Sequence, residues 1–209
     1  MVEDKKKGFK DILEDKPSDA LADAMLNRCE GLYGKGNMDE TIACCTDIQN
    51  KKPELIMPYY YKGMAYYNKG NFEQAIAEFD AGLKKDSKFW LLYSSKGLVR
   101  FGQGKYEDAL KMLNESLKYK TDVSTLVLAC VCAIMTQNNV LAEGYIKKAA
   151  SIDVKASIEI FDSFLSGILS SGVLSKEIQN RLESGRQKMK EELEKLEEAK
   201  KNSKKNKKK

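Results

Sequence analysis

Apolar and small residues recur along the middle of the chain at helical intervals. Tyr59, Gly63 and Tyr66, and then Ala75, Phe79 and Gly82, are spaced by four and then three, so each trio lies along one face of a helix. Asn68-Lys69-Gly70-Asn71 interrupts the pattern: the glycine ends the first helix, and Glu73 opens the second, where the helix dipole favours an acid. The unit returns 34 positions later, with Tyr93, Gly97 and Arg100, then Ala109, Leu113 and Ser116. Gly70-Asn71-Phe72-Glu73-Gln74-Ala75-Ile76 likewise becomes Gly104-Lys105-Tyr106-Glu107-Asp108-Ala109-Leu110. A fixed period of this length predicts stacked helical hairpins rather than one closed core. Gly63, Ala75 and Gly82 are small where two helices must approach closely.

The pattern extends outwards with decreasing fidelity. Residues 22–55 form a first, degenerate unit in which Cys29 takes the place of Gly63, Thr41 that of Ala75 and Cys45 that of Phe79. Units two and three span 56–89 and 90–123. A fourth, at 124–156, has Leu126 to Met135 as its first helix and Ala142, Ile146 and Ala149 in its second; these three lie 33 residues after their counterparts, which predicts one residue lost near the turn. Residues 157–199 read as a degenerate capping pair, with Phe161, Phe164 and Leu165 on one face, Gly172 ending the first helix, Ser175 capping the second, and Ile178, Leu182 and Gly185 repeating the spacing. The last helix continues with Met189, Leu193 and Leu196, a short coiled-coil-like stripe. Residues 1–17, with Phe9, Ile12 and Leu13 on one face, are expected to be weakly ordered, and the lysine-rich 200–209 to be disordered.

These residues resemble the tetratricopeptide repeat family, and the two central units carry the resemblance at nearly every signature position. It implies an all-α, right-handed α-solenoid of four repeats with an extended C-terminal helix, and a non-catalytic scaffold or adaptor that binds proteins. The departures are Arg100, where the family has an aromatic, and Ser87 and Thr121, where it commonly has a helix-ending proline. In this family the first helices of successive repeats line a concave groove. Carried over, that face is Asp23, Leu26, Glu30 and Tyr33; then Met57, Tyr60, Met64, Tyr67 and Asn68; then Leu91, Ser94, Leu98 and Phe101; and then some of Thr125, Leu128, Cys132 and Met135. Beyond Asp23 and Glu30 this lining has no charge. Members that hold acidic chaperone C-termini use Lys, Asn and Arg, but the matching positions here are Leu26, Glu30, Tyr61, Leu91 and Ser95, which offer a carboxylate nothing to pair with. The expected ligand is an apolar or amphipathic segment. A Met and aromatic stripe also suits self-coverage, by the chain's own terminal helices or by a second copy, so a self-associating structural protein is the alternative.

Composition narrows the chemistry. Apolar residues make up 42% and charged residues 32% of 209, as amphipathic helices require. There is no histidine, which removes the commonest general base and metal ligand. Cys44-Cys45 and Cys130-x-Cys132 point about 100° and 200° apart on a helix, so neither pair can chelate one ion. Neither a phosphate-binding loop nor a catalytic constellation appears, and no cofactor or metal is implied. Five unevenly spaced cysteines behind an N-terminus without an apolar run predict reduced thiols and a cytoplasmic protein, and no stretch reaches the roughly 20 apolar residues of a membrane span. Seven lysines at 200–209 against a net charge of +5 leave −2 on the remainder, so the basicity belongs to the tail. Lys204, Lys205, Lys207, Lys208 and Lys209 could touch nucleic acid or ribosome electrostatically, with a log-log salt slope of up to about −5, but lack interleaved aromatics for base stacking.

Overall fold

A computed structural model describes residues 20–170 and 176–206. Ten α-helices occupy them: α1 (Ala20–Gly34), α2 (Met38–Lys51), α3 (Met57–Asn68), α4 (Phe72–Leu83), α5 (Trp90–Gly102), α6 (Tyr106–Tyr119), α7 (Val123–Met135), α8 (Asn139–Ile152), α9 (Val154–Ser170) and α10 (Lys176–Asn206). The described residues contain no strand, and none of their helices is long and apolar enough to cross a membrane. Successive helices pack as antiparallel hairpins, and each hairpin stacks on the next to make an α-solenoid. The N-terminal segment 1–17, the stop at Gly172, the cap at Ser175 and Lys207 to Lys209 lie outside the described residues.

Each of the first four hairpins turns on a residue in the left-handed region: Gly36, Gly70 and Gly104 at φ 80°, 75° and 73°, then Gln137 at 61°. The amides beyond the turn fold back on the preceding helix, Gly70 N–H donating to Tyr67 C=O and Asn71 N–H to Tyr66 C=O. Helices α7 and α8 both begin and end 33 residues after α5 and α6. The missing residue is therefore not at the turn, as the sequence suggested. It is absent from the connection ahead of Val123, which has shrunk to residues 120–122 while α6 has lengthened.

Small residues do stand where backbones converge. A Cβ on Gly63 would lie 2.3 Å from Phe79 Cε1, one on Gly82 2.6 Å from Leu92 Cδ1, and one on Gly97 2.7 Å from Leu113 Cδ2. Phe79, Leu92 and Leu113 are fully buried, so these contacts form the spine of the stack. Ser116, in Gly82's place, turns its hydroxyl onto Trp90 C=O at 2.9 Å. Arg100 costs the fold nothing visible: it lies half-buried and donates to Gln103 Oε1 at 2.9 Å.

Cys29 and Cys44, with Cα atoms 5.8 Å apart, are joined by a disulfide that ties α1 to α2, so the thiols are not all reduced. Spacing along the sequence does not report which thiols face each other across a hairpin. The sequence predicts a disordered tail from residue 200, yet α10 runs to Asn206; adding residues to a helix that already exists needs no new nucleation step.

Candidate partner-binding groove

Helices α1, α3 and α5 present one wall. On α3, Tyr60, Met64 and Tyr67 are half-buried against Ala75, Phe79, Leu92 and Val99. On α5, Leu98 and Phe101 are half-buried against Ala109, Leu113, Leu128, Ala129 and Cys132. The helices meet where Tyr67 lies beside Gly102: a Cβ there would sit 3.2 Å from Tyr67 Cε2. Leu91 and Ser94 are half-buried, the Ser94 hydroxyl donating to Leu91 C=O at 2.9 Å. Asn68 is exposed and donates to Tyr33 Oη at 3.2 Å, tying α3 to α1. Met57 does not line the wall; it is buried with Leu26, Cys29, Cys45, Ile48 and Tyr61 between the first two hairpins. Lys204 and Lys205 lie on α10, away from these residues in sequence and element, and their side chains are not described.

Beyond Asp23 and Glu30 of α1 the wall is uncharged but not featureless. Burial raises the Tyr33, Tyr60, Tyr61 and Tyr67 phenols above their ordinary value, so they remain neutral hydrogen-bonding groups throughout the physiological range. Behind it, the Lys62 ammonium meets Glu78 at 2.9 Å and Gln49 Oε1 at 2.9 Å, and Gln49 also donates to Glu78 at 2.8 Å. Lys62 is 12% and Glu78 18% exposed, which takes the one charged side chain of α3 out of the groove.

At the fourth repeat the wall is closed. The 33-residue step brings Val127, Val131 and Ile134 to the places of Ser94, Leu98 and Phe101, so Leu128 and Cys132 point instead towards α6. Every α7 residue from Thr125 to Met135 is buried, because α9 and α10 pack over the side that α3 and α5 leave open. Leu182, Met189 and Leu193 of α10 share one core with Val127, Val131 and Ile134, a Cβ on Gly185 would lie 2.8 Å from Ile134, and Arg181 donates to Met135 C=O at 3.1 Å. The Met189–Leu193 stripe is thus engaged within the chain. From α9, Phe164 reaches Phe101 with ring centroids 5.5 Å apart and marks the end of the open wall. The sequence puts Phe164 in a capping helix and does not link it to the groove. The signal it had was the uncharged run of α7, too apolar for a helix with one side in water.

A second concavity of about 470 Å³, unforeseen from the sequence, lies between the α7–α8 turn and α10, lined by Gln137, Asn139, Glu177, Asn180, Arg181 and Lys188 among others. Arg181 and Glu177, one turn apart on α10, pair on its α10 side at 3.1 Å. Among the described residues no group of histidine, cysteine or carboxylate side chains could hold a metal ion.

The family model described as Tetratricopeptide repeat matches residues 57–89, the hairpin of α3 and α4. A comparison with curated proteins finds no match. Among solved structures, a thermophilic TPR protein in Thermus thermophilus superposes with a TM-score of 0.60 at 17% identity, covering 75% of this chain and 87% of that one. MamA from Desulfovibrio magneticus gives 0.57 at 19% identity, covering 83% and 95%. The first TPR of Spaghetti (RPAP3), solved bound to the HSP90 peptide SRMEEVD, gives 0.51 at 19% identity, covering 54% and 92%.

Proposed function

We propose, from the premise that this chain is a tetratricopeptide-repeat protein, that it is a non-catalytic interaction module whose open wall buries an apolar or amphipathic segment of another protein. Proteins of this fold generally mediate protein–protein interaction. The contact residues are Tyr60, Met64, Tyr67, Leu98 and Phe101, with Asn68, Leu91 and Ser94 beside them.

One observation carries this reading. Where the solenoid closes, at α7, the chain's own α10 lies against the stack as an amphipathic helix, its Leu182, Gly185, Met189 and Leu193 stripe inwards and its Lys and Glu residues outwards. Repeats one to three offer the same kind of wall half-exposed. What α10 does at the fourth repeat, a partner's helix does at the others. Self-association through the Met189–Leu193 stripe is not favoured, since that stripe is already covered.

An acidic ligand is disfavoured. The positions that hold a carboxylate elsewhere are Leu26, Tyr61 and Ser95, all buried, with Glu30 and Leu91. The test is capture of partners by wild type and by a Tyr67→Glu, Leu98→Glu double variant with unchanged far-ultraviolet circular dichroism. Partners lost from the variant support the wall as the site; identical partners eliminate it.

A further inference from the structure

The wall is not uniform: at its first-repeat end three tyrosines gather beside a carboxylate. Tyr33 of α1 and Tyr61 of α3 have ring centroids 5.8 Å apart at 52°, and Tyr60 meets Tyr61 edge-on at 5.2 Å and 66°. Tyr61 is buried and forms the floor, while Tyr33 and Tyr60 are half-exposed at its sides. Glu30, one turn before Tyr33, is exposed, accepts a hydrogen bond from Tyr61 and acts electrostatically on Tyr60. A carboxylate therefore stands at the rim of a corner made of tilted aromatic rings.

The neighbouring charges reinforce this. Lys62 is held behind the wall by Glu78, and Lys69 is paired with Asp39. Arg28 lies about 160° round α1 from Glu30, and Lys35 stands beyond the end of α1 in the turn. Asp23, two turns earlier on the same face, is exposed. The corner is negative, and ring faces are negative too, so it attracts a cation on both counts.

We propose that the Tyr33, Tyr60 and Tyr61 corner, with Glu30, takes the ammonium or guanidinium group of a lysine or arginine carried by the bound segment. This rests on the wall being a partner site and refines it: the preferred ligand is an amphipathic helix with a basic residue at the end lying over the first repeat. Burial keeps the phenols un-ionised, so their rings and dipoles serve this purpose at any physiological pH.

The test uses the full chain and three fluorescent 14-residue helical peptides with one Leu/Phe stripe and, at a single terminal position, Lys, Gln or Glu. Fluorescence anisotropy gives their dissociation constants for wild type, Glu30→Gln and Tyr33→Leu. The Lys peptide is expected to bind wild type about 3- to 30-fold more tightly than the Gln peptide, as a partly desolvated cation–π contact with a carboxylate allows. That advantage falls below about threefold in both variants, while the Gln peptide binds all three proteins alike. Equal binding of the Lys and Gln peptides to wild type overturns the corner and leaves the wall standing. Failure of all three to bind overturns both. Equal tightening of all three peptides in a Lys5→Gln, Lys6→Gln, Lys7→Gln variant assigns the corner to the chain's own N-terminal lysines, and a dimer by light scattering that dissociates on adding peptide assigns it to a second copy; either result overturns the proposal.

Discussion

Replacing Gly63 by alanine adds one methyl group in a helix, a change that ordinarily stabilises by about 1 kcal/mol because glycine is a poor helix former. Here the new Cβ would stand 2.3 Å from Phe79 Cε1, 2.7 Å from Cδ1 and 2.8 Å from Cζ. Ordinary carbon contact is about 3.5–4.0 Å. The ring must therefore retreat by about 1 Å or more, but Phe79 is fully buried and has nowhere to go. Overpacking of this kind costs about 1–3 kcal/mol. Gly144, in the middle of α8, is exposed and has no neighbour within 4 Å of its would-be Cβ. The propensity gain is common to both sites, so Gly63→Ala and Gly144→Ala should differ by about 1–3 kcal/mol, with Gly144→Ala above wild type. Urea unfolding followed by circular dichroism, with m-values compared so that loss of cooperativity in the array is noticed, measures this difference. Equal stabilisation by the two substitutions would refute the claim that close approach of α3 and α4 fixes the identity of residue 63.

Other perturbations test other parts of the structure. Glu78→Ala leaves Lys62 half-desolvated with only Gln49 to answer it, and should lower stability by about 1–3 kcal/mol in urea titration; Lys62→Met, Glu78→Leu together should recover much of that loss. Denatured but unreduced protein should titrate with three thiols, Cys45, Cys130 and Cys132, and reduced protein with five. Reduction should also lower stability by up to about 3 kcal/mol, given the 15-residue separation of Cys29 and Cys44. Burial pushes the Cys45 and Cys132 thiols up to about 12, whereas an unfolded chain releases those protons near 8.5. The folded state therefore holds protons that the unfolded state has lost, and stability is unaffected below about pH 8 and falls as the pH rises towards 12. Cys45→Ala should flatten the fall in the urea midpoint over that range; an unchanged slope would mean the thiol is not buried.

The solenoid was legible because its determinants are local. A glycine in the left-handed region, an acid in the first turn and small residues at spacings of four and three all act within one or two turns, and they recur at 34 residues through Gly36, Gly70 and Gly104. The wall on α3 and α5 followed from the same register. What stayed hidden was long-range. The lost residue showed as a shift at Ala142, but its position depended on α6 growing as the connection shrank. Met57 read as lining because periodicity gives a direction, not a depth, and the first hairpin folds over it. The Cys29–Cys44 bridge and the burial of α7 beneath α9 and α10 join segments whose proximity no periodicity encodes.

The closure of α7 makes the two ends of the molecule unequal in what they tolerate. Units 56–89 and 90–123 share a 34-residue step and the same glycine-turned hairpin, so a duplicate of either inserted in frame would lengthen the stack by one unit. No duplicate could be added after α7, because α10 already occupies the landing place. Lengthening beyond α7 is blocked on that side, and the C-terminal helices close the stack there.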